Sequence, residues 1–159
     1  MPKSHAQSDT ILRRFIGSAA SPIATTYVNL LTTMPTSSNP TGWVEWRSAT
    51  DTPIDRIRIH GSSSSGSPYW SEPFVDSNLK YIKNIGLVIW SDTETQTLLD
   101  GSQTAVGVGV FTTASTTYSS GVPTDLTDLI YWQELPSSLT FINEEAVVFL
   151  DGNLKVTEQ

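Results

Sequence analysis

Residues 82–90, Ile-Lys-Asn-Ile-Gly-Leu-Val-Ile-Trp, carry bulky apolar side chains in consecutive positions instead of at every second one. In an extended chain Ile85, Leu87 and Ile89 point one way while Val88 and Trp90 point the other, so both faces are apolar. A strand of that kind is normally covered on both sides, whereas surface strands alternate apolar with polar. A buried helix is the competing reading, but the β-branched residues and the nearby Asn84 and Asp92 favour a strand. The stretch is expected to be the central strand of an all-β domain.

A chain of 159 residues fits one domain and can bury a core without help. It has no cysteine, which excludes disulfides, thiol catalysis and zinc-thiolate sites. Charged residues make up only 16% while Ser, Thr and Gly are abundant, the balance of a turn-rich β protein. Nine basic and sixteen acidic residues give a net charge of -7, spread without long runs, which argues against a nucleic-acid partner. With no run of about 18 apolar residues and no apolar signal core near the N-terminus, neither a membrane span nor secretory export is expected. Synthesis in a cytoplasm is.

Residues 1–7 are polar and aperiodic. Residues 10–16 read as a short helix, capped by Ser8 or Asp9, with Leu12, Phe15 and Ile16 as its apolar stripe and Gly17 as its stop. So short a helix must dock, either on its own domain or on a neighbouring subunit. Together with a linker at 18–22 it makes an N-terminal arm, residues 1–22, ahead of a single all-β domain, residues 23–159.

In that domain strands are expected at 25–31, 42–46, 54–60 and 129–135, the last ended by Pro136. Ile57 and Ile59 alternate with Arg56, Arg58 and His60, which gives 54–60 one wet or partner-facing side. Asp151-Gly152 between apolar runs at 146–150 and 153–157 has the sequence of a tight hairpin turn. About seven to nine strands at this spacing suit an antiparallel sandwich or jelly-roll. Two long loops are expected, near 61–77 and 92–128. The first holds the Ser/Gly-rich tip 62–68, which delivers Tyr69 and Trp70. Within the second, Val106-Gly107-Val108-Gly109-Val110-Phe111 reads as a strand that something approaches closely, in an excursion from the core.

Catalytic signals are absent. Only His5 and His60 could serve a nucleophile, and His60 reads as structural. There is no Gly-x-Ser-x-Gly, phosphate loop or His-Glu-x-x-His, and Gly107-Val108-Gly109 lacks the third glycine and the βαβ setting of a dinucleotide loop. Asp92, Glu94 and Gln96 alternate as at the start of a calcium loop, but Thr97 and Gln103 stand where that loop needs Gly and Glu. Glu144 and Glu145 face opposite ways if extended. No catalytic residue, metal or cofactor is therefore expected, and the chain is not expected to be an enzyme. Trp43, Trp46, Tyr69, Trp70, Trp90, Tyr118 and Trp132 are many aromatics for an all-β domain, and such faces suit sugar or protein contacts. Trp90 and Trp132 lie in apolar strands and read as core, which leaves Tyr69 and Trp70 as the surface pair of a carbohydrate-binding alternative.

The order of the elements resembles that of a family of small tailed-phage virion structural proteins, labelled tail fibre or capsid decoration proteins. The resembling parts are the short apolar N-terminal helix, Tyr27-Val28-Asn29-Leu30-Leu31-Thr32-Thr33-Met34-Pro35, Ile85-Gly86-Leu87-Val88-Ile89-Trp90-Ser91-Asp92, residues 129–135 and residues 143–157. They cover about half of the chain as short matches in order. The resemblance implies a virion location, the major capsid protein or tail proteins as partners, and assembly with further copies of the chain as a homo-oligomer. The partner-facing residues would be Leu12, Phe15, Ile16, Arg56, Arg58, Tyr69 and Trp70.

Overall fold

The computed structural model describes residues 12–15, 25–36, 41–46, 55–77, 79–90, 104–140 and 147–158. In chain order its strands are β1 (Thr26–Thr33), β2 (Val44–Glu45), β3 (Ile57–Ile59), β4 (Tyr69–Trp70), β5 (Phe74–Asp76), β6 (Leu79–Ile85), β7 (Val88–Trp90), β8 (Thr104–Phe111), β9 (Tyr118–Ser119), β10 (Val122–Pro123), β11 (Leu129–Thr140), β12 (Val147–Phe149) and β13 (Lys155–Glu158). Residues 12–15 are helical. The fold is all-β and mostly antiparallel, with one short helix near the N-terminus, as expected from composition and patterning. Among the described residues no helix is long and apolar enough to cross a membrane.

The chain forms two compact units that interleave in sequence. One, the β6 unit, comprises Met1–Thr26, Arg58–Val88 and Val148–Gln159; the other, the β8 unit, comprises Tyr27–Ile57 and Ile89–Val147. The expected arm boundary at residue 22 falls inside the first of these segments.

The β8 unit is built on a sheet in the order β11-β8-β1-β2. Here the structure corrects the placement of the central strand. Doubly covered strands are β1, where Val28, Asn29, Leu30 and Leu31 are all buried, and β8, buried from Gly107 to Phe111. The stretch expected to be an excursion thus supplies the middle of the sheet. Its glycines explain how: Gly109 lies between Asn29 and Trp132, and Gly107 between Leu31 and Glu134. A Cβ on Gly107 would sit 2.9 Å from the Gln133 carbonyl oxygen, and one on Gly109 2.8 Å from Leu129 Cδ1. The close approach read from the small residues is real, and the approaching groups are the chain's own. Leu31, Trp43, Phe111 and Leu129 form the core, with Tyr27, Met34, Leu126 and Trp132 packed against it.

β11 continues through Pro136 to Thr140, instead of ending there. Its pairing with β8 shifts register between Glu134 and Leu139, and a residue without an N–H is tolerated at such an irregularity.

In the β6 unit the order is β13-β6-β4, with β5 also paired to β6. Residues 82–90 are not one strand. Gly86 adopts φ +90°, a conformation that suits glycine, and separates β6 from β7. Beyond the break only Val88 and Trp90 are buried; Leu87 and Ile89 are 49% and 38% exposed, so β7 is covered on one side. The region expected as a loop at 61–77 holds a 3-10 turn at Ser63–Ser65 together with β4 and β5.

Asp151-Gly152 does form a turn, with Asn153 N–H donating to the Leu150 carbonyl at 3.0 Å and Gly152 at φ +80°. The strands on either side do not pair as a hairpin. β12 pairs with β7, and β13 pairs with β6 through Lys155↔Lys83, Val156↔Ile82 and Thr157↔Tyr81. The reason is Asn84, fully buried in β6. Its Oδ1 accepts from Leu154 N–H at 2.9 Å and its Nδ2 donates to the carbonyls of Gly86 at 2.8 Å and Leu150 at 3.1 Å. In the main chain Asn84 N–H donates to the Leu154 carbonyl at 3.1 Å, and the Asn84 carbonyl accepts from Gly152 N–H at 2.9 Å. One side chain therefore holds both the break after β6 and the turn before β13.

Candidate functional site

The most concentrated polar chemistry in the described residues is a buried cluster in the β8 unit. Glu45 sits in β2 between Trp43 and Trp46, and all three are buried. Its carboxylate is brought to β1 by the Leu31↔Glu45 register, and Asn29 Nδ2 donates to Glu45 Oε1 at 2.9 Å. Arg56, just ahead of β3, forks onto the same group: Nε donates to Oε1 at 2.7 Å and Nη2 to Oε2 at 2.9 Å. Its Nη1 donates to Asp128 Oδ2 at 2.6 Å, and to the Thr113 carbonyl and hydroxyl at 2.9 and 3.0 Å. Tyr118 in β9 closes the cluster, its hydroxyl donating to Glu45 Oε2 at 3.0 Å and accepting from Glu45 N–H at 3.1 Å.

Burial opposes a charged guanidinium, yet the bonds and charge of Glu45, followed by those of Asp128, outweigh it and hold the Arg56 pKa above its ordinary value. For Tyr118, burial and next the Glu45 charge push the phenol up, so its proton stays on. Underneath, the guanidinium carbon lies 3.7 Å from the Phe111 ring centroid, and that ring meets Trp43 edge-on at 5.4 Å. Asp128 Oδ1 is buried without a hydrogen-bond partner among the described residues. Each guanidinium nitrogen thus donates to an internal acceptor, and the cluster ties β2, the approach to β3, the segment after β8 and the residue ahead of β11 to one another. Its chemistry is that of a lock.

This placement corrects the sequence reading of Arg56, whose side chain was expected on a partner-facing side. Glu45 and Asp128 draw it inward; of that set Arg58 is exposed and His60 half-buried. The signal in the sequence lay elsewhere: an acid between two tryptophans and another immediately before the apolar run of β11. Buried carboxylates need a partner, and an arginine is the residue that can fork onto them.

In the β6 unit three more of the anticipated contact residues, Leu12, Phe15 and Trp70, also turn inward. Leu12 and Phe15 are buried, and Phe15 meets the Trp70 ring edge-on at 6.2 Å. Ile16 lies outside the described residues. Trp70, expected at the surface, is buried with its Nε1 donating to Thr26 Oγ1 at 2.8 Å, and that hydroxyl in turn donates to the Ile59 carbonyl at 3.1 Å. The short helix therefore has a seat in its own unit, and Trp70 is the base of that seat. Arg13 adds an exposed ion pair to Glu72 at 3.1 Å, a contact of small worth in water. Tyr69 is half-buried and bridges to His60, whose main chain bonds to Pro68 O and Trp70 N–H. The His60 ring packs on Gly66, where a Cβ would lie 2.7 Å from Nε2.

As read from sequence, Trp90 is buried, and Trp132 packs against the core. Asp92, Glu94, Gln96, Glu144, Glu145 and His5 lie outside the described residues. No protein-family model matches the chain, and no curated protein matches it.

Proposed function

We propose that the chain is a structural protein of a tailed-phage virion, a capsid decoration protein that binds and stabilises the major capsid shell. The observation that carries this reading is the order of the segments that resemble such proteins. An all-β build is in keeping with it, as is a polar centre whose arginine is spent on holding strands together. A tail or tail-fibre subunit is the alternative within the same class.

The reading as a carbohydrate-binding module loses its main support, because an aromatic platform needs an open ring face and Trp70 is buried beneath Phe15.

Quantitative mass spectrometry of purified particles tests the proposal. A copy number comparable with that of the major capsid protein supports a decoration role. A few copies per particle assign the chain to the tail or a fibre, and absence from particles removes the virion reading altogether.

A further inference from the structure

The two units divide the charge of the chain unequally. The β6 unit holds seven of the nine basic residues and five of the sixteen acidic ones, a formal +2, while the β8 unit holds two basic and eleven acidic residues, a formal -9, which together give the -7 of the whole chain. No run of like charge in the sequence reveals this, because each unit is gathered from separate segments.

On the β6 unit two of the lysines stand where their charges are unanswered. Lys83 and Lys155 are direct partners across β6 and β13, so their side chains leave the same face of the sheet. Like charges set opposite each other in this way are unfavourable. Beneath them lies an aromatic shelf on that same face: Phe74 and Tyr81 are partners across β5 and β6, with ring centroids 4.2 Å apart. Lys155 Nζ stands 4.9 Å from the Tyr81 ring centroid and Lys83 Nζ 5.6 Å from that of Phe74. The rings hold both ammonium groups in place without neutralising them. Among the described residues neither lysine has a carboxylate within ion-pairing distance. The acid on the same face, Asp76, lies at the far end of the β5–β6 hairpin opposite Leu79.

We infer that the Lys83–Lys155 face, on its Phe74–Tyr81 shelf, docks the acidic β8 unit of a second copy of this chain. A partner of opposite charge is what two fixed, unpaired ammonium groups select, and the β8 unit, at a formal -9 with Asp55, Asp125 and Glu134 exposed among its described residues, is one. The contact is heterologous, with a different patch from each copy, so repetition closes a ring or extends a row. Charge complementarity makes it salt-sensitive. The inference does not depend on the virion reading.

Sedimentation velocity of the full chain over a concentration series, at low and at physiological ionic strength, tests it. Reversible self-association that weakens as salt rises is expected. Lys83→Gln with Lys155→Gln should weaken it about tenfold or more, while Lys83→Arg with Lys155→Arg should retain it. Ser115→Glu with Ser119→Glu, at exposed positions of the β8 unit, makes the same change in net charge and should leave association intact or strengthen it. Matched melting curves establish that each variant is folded. A chain that stays monomeric throughout, association that strengthens with salt, or equal weakening in the Gln and Glu variants overturns the inference.

Discussion

Arg56 Nη1 lies 2.6 Å from Asp128 Oδ2 although the two residues are 72 apart in sequence, and both side chains are 1% exposed. A buried pair of this kind contributes little over a well-packed apolar replacement, but removing one member strands the other. Arg56→Met leaves Glu45 and Asp128 buried without their counter-charge, and a loss of about 3–5 kcal/mol is expected. Adding Glu45→Gln and Asp128→Asn to that variant should recover part of it. Urea unfolding at neutral pH, with slopes compared among the variants, measures both effects.

Tyr118 gives the β8 unit an alkaline limit. Burial and the Glu45 charge raise its pKa above the ordinary value of 10.0, so the folded chain keeps a proton that the unfolded chain releases. The associated stability is present in full below about pH 10 and is lost as pH climbs toward the raised value. Tyr118→Phe removes this dependence. At neutral pH it costs about 1 kcal/mol through the missing bond to Glu45. The stability curves of the two proteins should therefore converge above about pH 10, which urea midpoints across an alkaline series will show. A gap that stays constant would place the hydroxyl outside the cluster.

Asn84→Leu removes one acceptor and two donors from a fully buried position. Leaving Leu154 N–H and the carbonyls of Gly86 and Leu150 unanswered should cost about 3 kcal/mol. Amide hydrogen exchange provides a local check. Protection at Leu154 should fall in Asn84→Leu by more than at amides of β8, which lie in the other unit.

Gly109→Ala tests whether β8 is as closely packed as its neighbours imply. The added methyl meets Leu129 Cδ1 at 2.8 Å and the Phe111 ring at 2.8 Å, both within the core. A destabilisation of about 1–3 kcal/mol is expected, read as a lowered midpoint in thermal unfolding.

The all-β class, β1 and the start of β11 were legible because each depends on a local run of apolar or β-branched side chains. β8 was harder to see as a sheet centre: Gly107 and Gly109 lower its apparent hydrophobicity, and it is their small size that lets the neighbours close in. The break at Gly86 left a visible mark, a lone glycine within an apolar run, which the continuity of the run outweighed. Asp151-Gly152 specified a turn correctly. Which strands pair beyond a turn depends on distant groups, here Asn84, some seventy residues before Leu154. Arg56 failed for the same reason, since alternation describes only the strand that contains it and its partners are 11 and 72 residues away.

The interleaving of the two units bears on how the chain can be made. β6 emerges from the ribosome long before β13, and its edge has no partner there until Val156 and Thr157 have been synthesised. Asn84 waits through the same interval for Leu150 and Leu154. The β8 unit can assemble earlier, once Val147 is out, while the β6 unit must hold an unfinished edge until β13 has been made. Nascent-chain chaperones thus meet a half-built sheet, and a stop codon before Leu154 should yield a product destined for proteolysis instead of a shortened but serviceable protein.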